Sequence, residues 1–388
     1  MTAPSRDAYR VVIVGAGIVG LFTAYHLARA GAGPILVVDR SFLSGGASGR
    51  NGGGVRQQWE TVPTIRLARE SVDAYRHFGR EFGYNIWFRQ GGYLFLAENT
   101  GELERLRAVQ SVVAREGLRA RAVTSGEIGR LVPSLSLDRV VGGTFLGSDG
   151  TLYPFPAVWG VYEGARSLGV EVALGLEVTG VGHSDGRVRG VETRAGLIRT
   201  ETVVNAAGGW SADLSRLAGL DVPNTPTRHE ILATEPLKPF LDPMVVRASD
   251  GLYFSQTMRG EIVGGLTVPH PTGTAPGMPS STTFLRSMAR ALVGLVPRLA
   301  PLGVLRAWSG FYDDTPDGLP VIGEDPRLRG FVHANGFGGH GFMLAPASSR
   351  RVAQSVLGEP TDLDPSLFAP GRFLGPPSVA RSERLQLG

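Results

Sequence analysis

The stretch Val11-Val12-Ile13-Val14-Gly15-Ala16-Gly17-Ile18-Val19-Gly20 decides the fold of this chain. Its first four residues are apolar and β-branched, which is typical of a buried parallel strand. The glycines have the spacing of a dinucleotide-binding turn: Gly15 permits the tight turn, Gly17 admits a pyrophosphate, and Gly20 lets a helix pack on the strand. The sequence therefore predicts a strand, a glycine-rich turn and a helix.

A second strand and an acidic residue complete this unit. Apolar spacing at Leu21, Ala24 and Leu27 predicts a helix after the glycines. Residues 35–38 form a second apolar run, and Asp39 stands at its end. An acid about twenty residues after the motif accepts hydrogen bonds from a ribose diol and favours an unphosphorylated ribose. We therefore expect FAD or NAD rather than NADP.

Two further glycine-rich segments predict loops that lie against a flat ligand. Residues 44–56 hold too many glycines for the interior of a helix or strand, and the embedded Arg50, Asn51 and Arg56 argue against a featureless spacer. Residues 335–342 form the second segment, between a predicted strand and a predicted helix. Elsewhere the patterns predict helices at 61–79, 101–116 and 156–168 and a β-meander with turns at 185–186 and 195–196. They also predict a turn and strand at 91–96, a strand that opens into a small-residue turn at 202–210, and strands at 251–256, 261–265 and 330–334.

Composition bounds the class of protein. The chain has 388 residues, of which 42% are hydrophobic and 19% charged, so we expect a globular protein of about two domains. It has no cysteine, which excludes disulfides, iron–sulfur clusters, thiolate zinc sites and a cysteinyl-linked flavin. The seven histidines are scattered and form no metal-binding pair, so we expect no metal site.

Charge and hydropathy exclude two further classes of protein. The net charge is +4 and Lys238 is the only lysine, but the arginines are spread between acids and form no stripe for nucleic acid. The apolar run at 11–27 contains the motif glycines, Thr23 and His26, so it is neither a signal peptide nor a membrane span. We expect a cytoplasmic protein with no nucleic-acid partner and no transmembrane segment.

Six motifs spread along the chain are shared with one flavoprotein superfamily. They are Gly54-Val55-Arg56-Gln57-Gln58-Trp59, Gly91-Gly92-Tyr93-Leu94-Phe95-Leu96, Arg228-His229-Glu230, Gly310-Phe311-Tyr312, Thr315-Pro316-Asp317-Gly318-Leu319-Pro320-Val321-Ile322-Gly323 and Gly339-His340-Gly341-Phe342-Met343. On these motifs the chain resembles the D-amino-acid oxidase superfamily over nearly its whole length. More closely, it is similar to the β-subunits of dye-linked L-proline dehydrogenase and heterotetrameric sarcosine oxidase.

The resemblance implies an α/β fold of two interwoven domains. A Rossmann-like (βαβ) FAD-binding domain would comprise residues 1–80, 147–222 and 316–388. A substrate domain, with a mixed antiparallel sheet of the α+β type, would comprise residues 81–146 and 223–315 and cover the flavin.

The resemblance also implies the chemistry. A small amino acid, secondary or cyclic, such as proline, sarcosine or glycine, would be oxidised at its CH-NH or CH-NH2 carbon to the imine, by hydride transfer to N5 of a noncovalent FAD. An arginine should bind the substrate carboxylate and aromatic side chains should exclude water. The catalytic candidates are Arg56, Tyr253, Tyr312 and His340, with His229 a weaker one.

The motifs and the resemblance together predict the FAD contacts. These are Gly15, Gly17, Ile18, Gly20, Asp39, Arg40, Ala47, Ser48, Arg50, Asn51, Gly52, Gly53, Val178, Ala207, Gly208, Trp210, Gly336, Gly338, Gly339, His340, Gly341, Phe342 and Met343.

Three positions depart from the pattern of the superfamily. Met343 stands where monomeric sarcosine oxidases have a lysine, Gly310 where they attach FAD through a cysteine, and Tyr312 where glycine oxidases bind the carboxylate with an arginine. The missing lysine favours a dehydrogenase with an unknown electron acceptor over an oxidase. No histidine lies between residues 149 and 159, which argues against a covalent FMN; a noncovalent FMN at a subunit interface stays open.

Alternatives remain open at this point. A 2-hydroxy-acid or glycerol-phosphate dehydrogenase on a related fold would respond to hydroxy acids and not to amines. A flavin-bearing subunit without catalysis would bind FAD but would not be reduced by a small molecule. An α-subunit partner and a homo-oligomer are both compatible with the resemblance.

Overall fold

The computed structural model describes residues 4–269 and 280–375. His270, one of the scattered histidines, and the polar last residues, which we expect to be frayed, lie outside the described part of the chain. Within it the strands are β1 Val11–Val14, β2 Ile35–Asp39, β3 Gly54–Val55, β4 Tyr93–Ala97, β5 Arg121–Val123, β6 Gly142–Leu146, β7 Gly150–Thr151, β8 Glu171–Leu174, β9 Val178–Ser184, β10 Arg187–Thr193, β11 Gly196–Arg199, β12 Val203–Asn205, β13 Thr225–Pro236, β14 Met244–Arg247, β15 Tyr253–Gln256, β16 Glu261–Gly265, β17 Val304–Asp314, β18 Val321–Glu324 and β19 Phe331–Asn335.

The helices of the same residues are α1 Ile18–Arg29, α2 Val62–Arg76, α3 Phe78–Phe82, α4 Thr100–Arg115, α5 Ser125–Leu131, α6 Pro154–Ser167, α7 Ser211–Leu217, α8 Thr282–Leu295, α9 Gly341–Leu357 and α10 Pro365–Phe368. Short 3₁₀ helices occur at Ala47–Gly49, Gly208–Trp210, Pro297–Leu299 and Pro370–Phe373. None of the helices in the described ranges is both long and apolar enough to cross a membrane.

A six-stranded sheet forms the first layer, in the order β8-β2-β1-β12-β19-β18. All neighbours are parallel except β18 and β19, which are antiparallel. Ile13 and Val37 pack on one side, in the same core as α1, α2, α6 and α9, while Val12 and Leu36 pack on the other side against the β9–β11 meander and α7. Because both faces are covered, β1 and the first four residues of β2 are continuous apolar runs.

The turn between β1 and α1 explains the glycine spacing. Gly15 has φ of 117°, a conformation that costs other residues strain, and its amide donates to Val38 O at 2.8 Å. A Cβ on Gly20 would lie 2.0 Å from Gly15 O, so only glycine lets α1 pack this closely. The predicted βαβ unit and the Rossmann-like α/β fold class are therefore confirmed.

An eight-stranded mixed sheet forms the second large unit, in the order β17-β13-β16-β15-β14-β4-β6-β5. Its neighbours are antiparallel except β14 and β4, which are parallel. One face carries Leu232 and Phe254 and packs on Met288 of α8. The opposite face carries Tyr93 and Met244 and closes a large cavity beside the first sheet. This sheet therefore positions one wall of the candidate site.

The helix predicted at 61–79 is two helices, α2 and α3, which meet at His77, where φ is −95° and ψ is 3°. The strands of the six-stranded sheet all fall within 1–80, 147–222 and 316–388, and those of the eight-stranded sheet within 81–146 and 223–315. The position of these strands supports the predicted domain boundaries, which we retain as a proposal.

Candidate active site

A cavity of about 900 Å³ lies between the two large sheets. It opens at the carboxyl ends of β1 and β2, where ligands of parallel α/β sheets usually bind. Its volume is near the top of the range of about 300–1,000 Å³ that is common for ligand sites. The cavity is therefore large enough for an extended cofactor together with a small substrate.

Asp39 marks one end of this cavity. Its Oδ2 accepts a hydrogen bond from the Ala16 amide at 2.9 Å, and its Oδ1 accepts one from the Ser41 amide at 2.8 Å. Next to it, the Arg40 guanidinium lies over the Trp210 ring, 4.2 Å from the centroid. The carboxylate is thus held at the wall, in the position where a ribose diol would be bound.

The glycine-rich turn continues this wall. A Cβ on Gly15 would lie 2.3 Å from Ala206 O, so the turn tolerates no side chain there. The first residues of α1 line the cavity, and the amide of Ile18 donates to Ser48 Oγ at 2.9 Å. The first-turn amides of a helix lack intrahelical acceptors and carry the positive end of the helix dipole. This donor set fits a pyrophosphate.

The side chain of Arg50 joins the loop at 44–56 to the eight-stranded sheet. Its Nε donates to Gly45 O at 3.0 Å and its Nη1 donates to Ser309 O at 3.1 Å, on β17. A Cβ on Gly52 would lie 3.4 Å from the side chains of Ile231 and Tyr253. The loop therefore lies directly against the eight-stranded sheet, and a side chain at residue 52 would narrow the space between them.

The second glycine-rich loop is held by a buried carboxylate, Asp313. Its Oδ2 accepts from the Gly336 amide at 2.6 Å and from Ser211 Oγ at 2.7 Å. Burial raises the pKa of Asp313 to about 6. Helix α9 follows this loop, and its first turn, Gly341 to Met343, lines the cavity. A helix N-terminus here favours negative charge in the ligand.

Two tyrosines of the eight-stranded sheet lie on the cavity wall. They are Tyr253 on β15 and Tyr312 on β17. The ring of Tyr312 stacks on His229, with centroids 3.7 Å apart and planes 17° apart. Burial raises the pKa of Tyr312 to about 12 and that of Tyr253 well above its usual value. Both hydroxyls therefore stay protonated and can donate hydrogen bonds at neutral pH.

Arg56 and His340 lie together behind this wall. Arg56 is fully buried, donates to Gln58 O at 3.2 Å, and has Nη2 3.2 Å from His340 Nε2. Its guanidinium lies 4.0 Å from the centroid of the Trp59 ring. Burial, and then the Arg56 charge, hold the pKa of His340 well below its usual value, so the neutral imidazole accepts from the guanidinium. Neither side chain lies on the cavity wall.

Asp149 fixes the segment that carries Arg56. Its carboxylate is fully buried and accepts hydrogen bonds from the Gln57 amide at 2.9 Å and from Gln58 Nε2 at 3.1 Å. Burial raises its pKa to about 7. The sequence reasoning missed this residue, because an aspartate in a Ser-Asp-Gly turn looks like an ordinary turn residue.

Most predicted cofactor residues share the cavity wall. These are Gly15, Gly17, Ile18, Asp39, Arg40, Ala47, Ser48, Arg50, Asn51, Gly52, Val178, Ala207, Gly208, Trp210, Gly338, Gly339, Gly341, Phe342 and Met343. Gly20, Gly53, Gly336 and His340 lie behind it. Their assignment as FAD contacts, like that of Arg56 as a carboxylate ligand, stays a prediction. The wall also contains residues that the sequence reasoning missed, namely Tyr93, Ile231, Met244 and Asp313.

Across residues 4–269 and 280–375, no group of three or more His, Cys, Asp or Glu residues is placed to hold a metal ion.

Comparison with known proteins identifies the cofactor. The sequence pattern of the DAO family, described as FAD dependent oxidoreductase, matches residues 10–355. The chain is 29% identical over 357 residues to the sarcosine oxidase subunit beta of Rhodobacter capsulatus, covering 90% of this chain and 85% of that one. Its structure matches L-proline dehydrogenase from P. horikoshii with a TM-score of 0.89 and 31% identity, over 95% of this chain and 98% of that one.

Glycine oxidase from Geobacillus kaustophilus has the same fold, with a TM-score of 0.87 at 24% identity, over 95% of this chain and all of that one (100%). The family match confirms the resemblance drawn from the sequence motifs, the prediction of an enzyme, and FAD rather than NAD as the cofactor. It also agrees with the cavity, whose glycine turn, acidic residue and helix N-termini suit a dinucleotide. The chain belongs to the DAO family of FAD-dependent oxidoreductases.

Proposed function

We propose that this enzyme oxidises a small secondary or cyclic amino acid, such as proline, sarcosine or glycine, to its imine. The observation that carries the proposal is a single cavity that is lined by the glycine turn and Asp39 on one side and by the buried hydroxyls of Tyr253 and Tyr312 on the other sheet. Support also comes from the relatives, which include an L-proline dehydrogenase and a sarcosine oxidase subunit.

The residues at each end of the cavity suggest which part of FAD each would hold. We assign the adenosine ribose to Asp39, the pyrophosphate to the first turn of α1, and the flavin to the end between residues 50–54 and the eight-stranded sheet. Bound FAD supplies a two-electron acceptor for the hydride of the amine-bearing carbon. The first turn of α9 would stabilise negative charge on the cofactor through its amides and its dipole.

The remaining groups at this end would bind and orient the substrate. Tyr253 and Tyr312 can donate hydrogen bonds to a carboxylate, because burial keeps both hydroxyls protonated. Ile231 and Met244 present apolar surface to the cavity and would exclude water from the reacting carbon. Arg56 lies behind them and contributes positive charge, which attracts a carboxylate and lowers the affinity for a protonated amine. This arrangement favours a neutral amine next to a carboxylate.

We further propose that the enzyme is a dehydrogenase that passes electrons to a partner subunit. The lysine of monomeric sarcosine oxidases is replaced by Met343, and the Rhodobacter relative is one subunit of its enzyme. Reoxidation of the reduced flavin by air and by an artificial dye would be compared; fast reoxidation by air would contradict it.

The experiment that tests the main proposal is an anaerobic survey of reductants. The flavin band is recorded while L-proline, D-proline, sarcosine and glycine are added separately, with lactate and glycerol 3-phosphate as the comparison. Bleaching by an amino acid alone supports amine oxidation. Bleaching by the hydroxy compounds alone would support the hydroxy-acid alternative, and no bleaching at all would support a flavin-bearing subunit without catalysis.

A further inference from the structure

Tyr93 carries a buried hydroxyl for which the fold supplies no acceptor. The side chain is 0% exposed, and Tyr93 Oη has no hydrogen-bond partner among the described residues. A buried polar group left without a partner is destabilising, and native proteins satisfy nearly all such groups. Because Tyr93 also lines the cavity, the missing partner is expected to come from a ligand.

The position of Tyr93 in the sheet places it among the proposed substrate residues. On β4, Tyr93 is paired in register with Met244 on the adjacent β14. Both side chains point to the face that covers the cavity, as does Tyr253 one strand further along. A Cβ on Gly54 would lie 2.0 Å from Tyr93 Oη, so the hydroxyl fits against a backbone without a side chain. The hydroxyl thus lies beside Gly54, in the segment that we assign to the flavin end of the cavity.

The charges around Tyr93 select the kind of ligand group. Burial raises the pKa of Tyr93 well above its usual value, so the hydroxyl is a donor. The charged groups that act on it are Arg56, which keeps its charge, and Asp149, whose own pKa is raised to about 7. At neutral pH the carboxylate of Asp149 is therefore partly protonated, and the local charge is positive on balance. A hydroxyl donor in positive surroundings fits an anionic acceptor better than an amine.

We propose that Tyr93 is a substrate-binding residue whose hydroxyl donates a hydrogen bond to the carboxylate of the amino-acid substrate. This inference rests on the proposed function, since it assumes an amino acid at this end of the cavity. It adds a third hydroxyl, on a different strand, to those of Tyr253 and Tyr312. The carboxylate would then be bound by donors from both halves of the sheet.

The test uses Tyr93→Phe, which removes one oxygen and leaves the ring in place. Binding of pyrrole-2-carboxylate, which cannot be oxidised to an imine, is measured from the change it causes in the flavin spectrum of the holoenzyme. Pyrrole-2-carboxamide serves as the neutral analogue. We expect the dissociation constant for the carboxylate to rise about ten- to a hundredfold, and that for the amide less than about tenfold, because hydrogen bonds to charged groups are stronger.

The stability of the variant separates binding from structure. Since Tyr93 Oη bonds no described group, Tyr93→Phe should leave the melting temperature and the FAD content unchanged or slightly raised. The matched control is Tyr9→Phe, at a tyrosine that is 4% exposed, lies outside this cavity and has its hydroxyl bonded to Glu171. The control should not alter either dissociation constant.

Three outcomes would overturn the inference: equal binding of pyrrole-2-carboxylate by wild type and Tyr93→Phe, no binding by wild type, or loss of FAD from the variant. Its failure is distinguishable from that of the proposed function, which is decided by whether amino acids reduce the wild-type flavin. A wild type that is reduced, with unchanged binding in the variant, overturns only the assignment of Tyr93. A wild type that no amino acid reduces overturns the proposed function and, with it, the amino acid as the ligand of Tyr93, even where weakened carboxylate binding in the variant shows that the hydroxyl binds a carboxylate.

Discussion

Gly15→Ala should abolish tight FAD binding, and Gly196→Ala provides a matched control. Gly15 has φ of 117° and Gly196 has φ of 115°, so alanine meets similar backbone strain at both positions, about 1–3 kcal/mol. The surroundings differ. A Cβ on Gly15 would lie 2.3 Å from Ala206 O, whereas no atom lies within 4 Å of a Cβ on Gly196.

The difference in FAD affinity between the two variants therefore measures the effect of the clash between the added Cβ and Ala206 O. Relieving a contact with backbone requires Ala206 and the following residues to move, and these line the cavity. Overpacking of this kind costs about 1–3 kcal/mol. If this free-energy cost destabilises only the FAD-bound state, the dissociation constant for FAD rises about 5- to 150-fold, because each factor of ten corresponds to about 1.4 kcal/mol.

Titration of each apoprotein with FAD, followed by flavin fluorescence, gives the dissociation constants for FAD of the two variants. Thermal melts of the apoproteins give the loss of stability that the backbone strain causes. Both variants should lose stability, but only Gly15→Ala should lose FAD on gel filtration. If Gly15→Ala retains FAD as tightly as Gly196→Ala, the turn does not hold the cofactor in the way described.

Three further perturbations test the site. Tyr253→Phe should raise the KM for the amino acid about tenfold through loss of a hydroxyl at the wall, with FAD content unchanged in the purified protein. Arg56→Lys should lower kcat/KM at least about tenfold, because a point-like ammonium cannot reproduce the contacts of Arg56 with Gln58 and His340; unchanged steady-state kinetics would remove Arg56 from the mechanism. Burial raises the pKa of Asp149 from 3.8 to about 7, so between these values the folded protein holds a proton that the unfolded chain has released. Stability should therefore fall as pH rises through this window. Asp149→Asn should flatten that fall in melting temperature, and an unaltered pH profile would show that Asp149 does not titrate as described.

The nucleotide half of the site could be predicted because its signals are local. The turn residues Gly15, Gly17 and Gly20 and the acid Asp39 belong to one continuous stretch, and each has a steric or hydrogen-bonding role in that stretch. The first two strands of the first sheet are covered on both faces, and they are therefore visible in the sequence as plain apolar runs. Fold class, family and FAD all followed from such signals and from motifs, and they are confirmed.

The substrate half could not be predicted in the same way, because its wall is assembled from distant strands. Tyr93 and Met244 are neighbours only because β4 pairs with β14, in a parallel register that nothing in either segment specifies. The sequence motif that contains Tyr93 indicated a turn and a strand, but not which face of the strand would cover a cavity. Sequence alone therefore identified the strand without identifying the side chain that lines the cavity.

Arg56 illustrates a second limit. Arg56 was expected near the flavin or the substrate carboxylate, which stays a prediction; its guanidinium packs on Trp59 and lies against His340 behind the wall. Spacing in the sequence does not indicate the direction in which a long side chain turns. The break at His77 between α2 and α3 was missed for a related reason, since the apolar spacing continues across it.

Amine oxidation at this flavin can be tested by a stoichiometric anaerobic titration. The holoenzyme is titrated without oxygen with the most effective amino acid of the survey, and the visible flavin band and the released product are measured together. We expect one equivalent of amino acid to bleach one equivalent of FAD and to yield one equivalent of imine or of its hydrolysis product. A flavin that stays oxidised in excess amino acid, but is bleached by a hydroxy acid, would contradict the account.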